Sequence, residues 1–281
     1  MTDAVVTILG AQGFIGSHLL DHFQQNGYQC FAPAKGDESI FARPLGRVIY
    51  AVGLTADFRS RPLDTVEAHV CLLRRLIKLG NFDSLTYLSS TRVYAGVTDT
   101  TETACLKVNP NDPGDLYNLS KLMGESLCLH GGNAKANVVR LSNIVGLRPD
   151  PDIFIDQLLD EGYRTGKVVF RTALESRKDY LYIDDAVNLI AHVAQAAEPG
   201  IYNAASGDGT DNEEIARALV ASLGFEVSVL PNSPTWAFTA VDISKARTRF
   251  GFSPRKFSDY FPEFLRNYAQ NRGVRLGNSR D

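Results

Sequence analysis

Near the N-terminus the largely apolar segment Ala4–Leu9 runs without a break into Gly10-Ala11-Gln12-Gly13-Phe14-Ile15-Gly16, and Phe14, Ile15, Leu19, Leu20 and Phe23 then recur at helical spacing through Phe14–Gln25. A strand, a three-glycine turn and a helix in this order leave few folds open. One glycine allows positive φ at the tight turn, a second removes the Cβ that would block a pyrophosphate, and a third lets helix and strand pack closely. The helix N-terminus then offers free N–H groups and partial positive charge to phosphate. Glycines also serve plain strand-to-helix turns. Here the preceding strand, the following helix and the position at the start of the chain favour phosphate binding.

The alternation continues. Strands are expected at Gln29–Ala32, Arg47–Val52, Leu85–Ser89 and Val138–Leu141, and helices at Pro62–Leu79 and Leu116–Leu129. Continuous apolar strands separated by helices mean a parallel sheet covered on both faces. After about residue 146 the pattern loosens. Helices are expected at Ile153–Tyr163, Asp184–Ala197, Asn212–Leu223 and Tyr260–Gln270, strands at Lys167–Arg171 and Glu226–Leu230, and a frayed polar end at Arg272–Asp281. The expected fold is α/β, a Rossmann-like doubly wound parallel sheet with a smaller mixed α/β C-terminal substrate lobe. The dinucleotide-binding domain spans 1–146 and the lobe 147–281, with strands free to cross between them.

Composition supports an ordinary soluble domain. The 281 residues are 44% apolar and 22% charged, and 29 basic against 32 acidic residues give a net charge of −3. No basic excess points to nucleic acid. No apolar run approaches the roughly 20 residues of a membrane span, and the N-terminus lacks the basic flank of a signal peptide, so a cytoplasmic location is expected. Cys30, Cys71, Cys105 and Cys128 have no C-x-x-C spacing, and the five histidines share no metal spacing, so structural or surface roles and no metal are expected.

Tyr117-Asn118-Leu119-Ser120-Lys121 places a tyrosine and a lysine four residues apart on one helical face. A neighbouring ammonium favours a phenolate, which suits a tyrosine that passes a proton to or from a substrate oxygen while a hydride moves. One strand-helix step earlier, Ser89-Ser90-Thr91-Arg92-Val93-Tyr94 ends a strand with a serine able to hold the same oxygen.

Together with the G-x-x-G-x-x-G turn, these residues resemble the extended short-chain dehydrogenase/reductases, the NAD-dependent epimerase/dehydratase family. Further matches in order are Arg140-Leu141-Ser142-Asn143-Ile144-Val145-Gly146, Asp179–Asp185, Ile201-Tyr202-Asn203, Asp242–Ala246 and Gly251–Pro254, so the resemblance covers nearly the whole chain. It implies Ser90, Tyr117 and Lys121 as catalytic residues. Gly10, Gln12, Gly13, Phe14, Ile15, Gly16, Lys35, Ala51, Gly53, Tyr117 and Lys121 become cofactor contacts, and Arg92, Asn143, Arg177 and Lys178 substrate contacts. It also implies a homodimer in which Pro62–Leu79 and Leu116–Leu129 pair as a four-helix bundle.

The chain departs from the family pattern at four places. The second strand ends Phe31-Ala32-Pro33-Ala34-Lys35 with no acid for a ribose 2′-hydroxyl. Lys35, with Arg43, favours a 2′-phosphate and therefore NADP over NAD; a solvated loop lysine is the alternative. Only about a dozen residues separate Lys35 from Arg47, too few for a further helix and strand, so the adenine side is trimmed. Thr91-Arg92 stand where 4,6-dehydratases carry Asp-Glu, so that dehydration is not expected. The arginine expected before Asp179 is Lys178, which lacks a bidentate fork, and no second arginine occurs in Pro231–Val241; Trp236 and Phe238 in that stretch could stack on a base, with a core role expected for one of them. The function implied is an NAD(P)-dependent epimerase or ketoreductase acting on a nucleotide-linked sugar. The alternatives are a non-catalytic dinucleotide-binding regulator or assembly factor and a reductase of a non-sugar carbonyl.

Overall fold

Val6–Leu9 forms a fully buried strand, β1, whose one polar residue is satisfied: the Thr7 hydroxyl donates to the Leu45 carbonyl at 2.6 Å. The computed structural model describes residues 5–54, 57–132, 135–148, 154–196, 198–236 and 239–278, with side chains to Asn271. Ala4, Ile153, Ala197 and Phe238, named above, lie outside the described residues.

From β1 the chain passes through α1 (Phe14–Gln25), β2 (Cys30–Phe31) and β3 (Arg47–Tyr50). A helix follows as α2 (Pro62–Val66), a π-helical turn at Glu67–Cys71 and α3 (Leu72–Leu79). Next come β4 (Ser84–Ser90), α4 (Asp115–His130), β5 (Lys135–Leu141), β6 (Asn143–Val145), α5 (Phe154–Thr165) and β7 (Lys167–Phe170). The remainder is β8 (Arg177–Tyr182), α6 (Ile183–Ala194), β9 (Gly200–Ala204), β10 (Gly209–Asp211), α7 (Asn212–Leu223), β11 (Glu226–Val229), α8 (Ser244–Phe250) and α9 (Phe257–Asn278).

Six parallel strands make the main sheet in the order β2-β1-β3-β4-β5-β9. Its alternating side chains are covered on both sides. Val6, Ile8, Ile49 and Val139 pack with Leu19 and Phe23 of α1 and Leu189 and Ile190 of α6. Leu9, Val48, Tyr50 and Val138 pack with Leu73 and Leu76 of α3 and Cys128 of α4. This is the doubly wound α/β architecture expected, and β9 reaches its edge from the second half of the chain. The smaller sheets, β10-β8-β6 and β11-β7, surround a separate aromatic core with Phe170, Tyr180, Phe257, Phe261 and Phe264. Among the described residues no helix is long and apolar enough to cross a membrane.

Between Lys35 and Arg47 stands a single 3₁₀ turn, Glu38–Phe41, capped by the Asp37 carboxylate, which accepts from the Ser39 amide at 2.9 Å. Buried Ile40 and Leu45 anchor this short crossover. In the main sheet β2 therefore remains an edge strand.

Two helices differ from expectation at their ends. α6 stops at Ala194, where Gln195 turns its side chain back to the Ala191 carbonyl and accepts from the Tyr28 hydroxyl. α9 begins at Phe257 and continues to Asn278, through part of the tail expected to fray. Phe257, Phe261 and Phe264 stack successively at 4.3 and 5.7 Å, which fixes the first turns of α9 on both sides of Pro262.

Candidate active site

The glycine turn is closed by the Gly13 amide, which donates to the Gly10 carbonyl at 3.0 Å. Gly10 has φ +83°, and a Cβ there would lie 2.7 Å from the Ala51 carbonyl oxygen; a Cβ at Gly16 would lie 2.7 Å from the Gly10 carbonyl carbon. Neither position tolerates a side chain without backbone movement. Gly13 caps α1 without a side chain, and the first turn of α1 carries no acid, so its amides remain available to an anion. Gln12 and Gly13 are exposed, while Phe14 and Ile15 are half-buried. A Gly10→Ala variant is expected to lose about 1–3 kcal/mol to backbone strain, before any clash, and to bind dinucleotide more weakly. Urea melts and a NADH fluorescence titration check this; unchanged binding would remove the turn from the cofactor site.

The chain leaves β3 beside this turn, at Ala51, and β4 lies next to β3 in the sheet. Ser90, at the end of β4, accepts the Arg92 amide at 3.2 Å and so caps the 3₁₀ turn Thr91–Tyr94. α4 runs back against β4 and carries Tyr117 and Lys121, each only 5% exposed. Lys121 Nζ donates to the Leu88 carbonyl at 2.9 Å and lies 5.9 Å from the Tyr117 ring centroid. Burial draws this ammonium down to about 7, against the opposing pull of Glu125. Its charge is therefore open to change near neutral pH.

His69, one of the histidines assigned no specific role above, is a site residue that sequence reasoning missed. It is fully buried on the π-helical turn, with its ring edge-on to Tyr117 at 5.3 Å. The Ser120 hydroxyl donates to the Tyr117 carbonyl at 2.8 Å, so His69 Nδ1–H donates to Ser120 Oγ, also at 2.8 Å, and Nε2 faces the Leu54 amide at 3.4 Å. Burial, then the Lys121 charge, hold His69 down to about 2, so it stays neutral. A Cβ on Gly53 would lie 3.1 Å from His69 Nε2 and 3.4 Å from Lys121 Nζ. The bare Gly53 backbone, Lys121 and His69 thus form one wall.

The remaining expected residues fall in two groups. Ala51 meets the glycine turn and Arg92 lies with its guanidinium carbon 5.7 Å from the Tyr117 ring centroid. Lys35 is exposed, and no interaction among the described residues ties it to the turn. On the second lobe, Asn143 is exposed and donates to the Asp179 carbonyl at 2.8 Å. Arg177 donates twice to the Gly209 carbonyl. Lys178 lies 4.2 Å from the Phe154 ring centroid and 6.0 Å from that of Trp236, which is 58% exposed and so open to stacking.

A glycine cradle backed by an uncapped helix fits a dinucleotide pyrophosphate, and the Gly53–Lys121 wall leaves backbone room for its reactive end.

No curated protein sequence matches the chain. Solved structures do. MoeE5 in complex with UDP-glucose and NAD superposes with a TM-score of 0.79 at 17% identity, covering 95% of this chain and 99% of that one. UDP-glucuronic acid 4-epimerase from Bacillus cereus, in complex with UDP-glucuronic acid and NAD, gives 0.80 at 18%, covering 95% and 99%. RMD from Pseudomonas aeruginosa, complexed with NADPH, gives 0.72 at 19%, covering 90% and 94%. At these identities the likeness establishes the fold. The family model described as the NAD dependent epimerase/dehydratase family matches residues 6–205, more than two thirds of the chain, and the protein belongs to that family.

Proposed function

We propose that this protein is an NAD(P)-dependent epimerase or ketoreductase acting on a nucleotide-linked sugar. The observation that supports the reading is that Lys121 Nζ, 5.9 Å from the Tyr117 ring centroid, is bonded to the Leu88 carbonyl two residues before Ser90 and faces Gly53, just past the Ala51 that packs on the uncapped glycine turn. When bound, the nicotinamide supplies or accepts hydride. Tyr117 exchanges the proton of the substrate oxygen, Ser90 holds that oxygen, and Lys121 sets the charge around Tyr117. Gly10–Gly16 receive the pyrophosphate, and Asn143, Arg177 and Lys178 line the substrate side. Relatives of this fold crystallised with UDP-sugars and NAD support the substrate class.

We assign the cofactor preference to NADP. Both acids near the end of β2 are engaged: Asp37 caps its own turn and Glu38 pairs with Arg75 at 2.7 Å. Lys35 is exposed there, and the Arg43 guanidinium carbon lies 4.1 Å from the Phe31 ring centroid. Exposed Leu63, Leu119 and Met123 on α2 and α4 support pairing of these helices in a homodimer.

Identifying the nucleotide that co-purifies tests the reading. Tightly retained dinucleotide supports an epimerase that recycles it, and loosely held NADPH a reductase. Absence of both, with no nicotinamide binding on titration, overturns it. NADPH is expected to bind at least about tenfold more tightly than NADH, with the margin lost in Lys35→Ala, as one charge-assisted phosphate contact would give.

A further inference from the structure

Among the described residues, two arginines beside Tyr117 carry charge that no ion pair takes up. Phe58, in the loop between β3 and α2, is buried with its ring centroid 5.2 Å from that of Tyr117. The guanidinium carbons of Arg59 and Arg92 lie 4.6 and 5.0 Å from the Phe58 ring centroid. Both also reach toward Gly114: a Cβ there would lie 3.1 Å from an Asp112 carboxylate oxygen, 3.3 Å from an Arg92 terminal nitrogen and 3.6 Å from one of Arg59. Two guanidiniums thus converge on one aromatic ring and one bare backbone position, next to the tyrosine assigned to proton transfer.

Among the described residues neither guanidinium has an ion-pair or hydrogen-bond partner. The nearby acids already have other hydrogen-bond or ion-pair partners, and Asp112 and Asp115 offset the Arg92 charge only through space. Asp112 accepts the Gly114 amide at 2.7 Å, and Asp115 accepts the Asn118 side-chain amide and the Asn109 backbone amide, both at 2.7 Å. Asp57 and Asp64 are held by Arg61 at 3.1 and 2.8 Å. Burial, then repulsion from Arg59, lower the proton affinity of Arg92. Buried Arg140, by contrast, is fully paired. A half-buried guanidinium that lacks an ion pair and faces a second, exposed one is unfavourable in the free protein. A bound anion removes that cost, and paired guanidinium forks match a planar carboxylate.

We propose that Arg59 and Arg92 form a receptor for a carboxylate carried on the sugar ring that Tyr117 acts on, so that the substrate is a nucleotide-linked uronic acid rather than a neutral hexose. The inference rests on the nucleotide-sugar reading above. It places the anion on the sugar rather than in the diphosphate because Arg92 follows Ser90 by two residues and faces the Tyr117 ring, whereas Arg177 and Lys178 stand apart on β8.

Calorimetric titration of the dinucleotide-loaded protein with UDP-glucuronic acid and UDP-glucose, ligands that differ at C6 alone, tests it. The uronate is expected to bind at least about tenfold more tightly, the margin of a charge-assisted hydrogen-bonded pair. Rising salt should narrow that margin. Arg59→Gln and Arg92→Gln should each bring the ratio of the two affinities toward one. Arg59 is exposed, so its variant reports even where Arg92→Gln unfolds. Equal affinities in the unmodified protein, or an unchanged ratio in the variants, overturn the receptor. Weakening of both ligands by the same factor also overturns it and assigns the guanidiniums to the diphosphate. Binding of the dinucleotide but of neither sugar nucleotide overturns the nucleotide-sugar reading itself, and the receptor with it.

Discussion

Tyr117→Phe is expected to lower turnover by about 10²- to 10⁴-fold, the contribution of one well-placed general acid or base, while dinucleotide affinity and thermal stability stay close to those of the unmodified protein. The substitution deletes one oxygen and keeps the ring, so the contacts with Phe58 at 5.2 Å and His69 at 5.3 Å persist. Single-turnover hydride transfer to bound dinucleotide, followed by nicotinamide absorbance, measures the effect. A rate within about threefold of normal would move the proton to another group. The pH profile carries a second reading. Lys121 is charged below about 7 and neutral above it, because burial penalises the ammonium. The limb of the kcat/KM profile that depends on its charge therefore falls as pH rises through that value in the free enzyme, and Lys121→Met abolishes the limb.

The parts of this site that were legible in the sequence are those set by local geometry. Gly10 is dictated by its positive φ and Gly16 by the backbone of the same turn, and Tyr117 and Lys121 share a face through helical spacing alone. The short crossover after Lys35 was legible by counting, since a dozen residues leave room for the one 3₁₀ turn found there. His69 was hidden because helical periodicity assumes 3.6 residues per turn, and the π-helical turn at Glu67–Cys71 shifts the faces of Pro62–Leu79. Arg59 was hidden for another reason. It sits in a loop without periodicity, and its significance depends on the approach of Phe58, Arg92 and Gly114, three segments far apart in the chain. Arg92 was legible as a departure from the family pattern, but its partner was not. In α9 the start lies three residues before the expected Tyr260, because the stacking of Phe257 on Phe261 is a packing contact that helical spacing does not show.

Arg140→Met is expected to destabilise the protein by about 3–5 kcal/mol, because it strands a buried carboxylate. Arg140 on β5 and Glu125 on α4 are 3% and 4% exposed and pair in bidentate fashion at 3.0 and 2.7 Å. The Glu125 carboxylate also accepts from the Ser89 hydroxyl at 2.5 Å, so the pair ties α4 to the strand that ends in Ser90. Arg140 donates further to the Tyr94 hydroxyl at 2.7 Å, and Tyr94 donates to Asn203 of β9 at 2.9 Å. Removing the arginine leaves the buried Glu125 carboxylate with the Ser89 hydroxyl but no cation paired to it. Urea unfolding measures the deficit. The double variant Glu125→Leu/Arg140→Met removes both charges, and it should recover much of the single variant's loss if the stranded charge is its source. If the double variant is as unstable as the single one, shape and packing at this junction, rather than charge, hold α4 against β4 and β5.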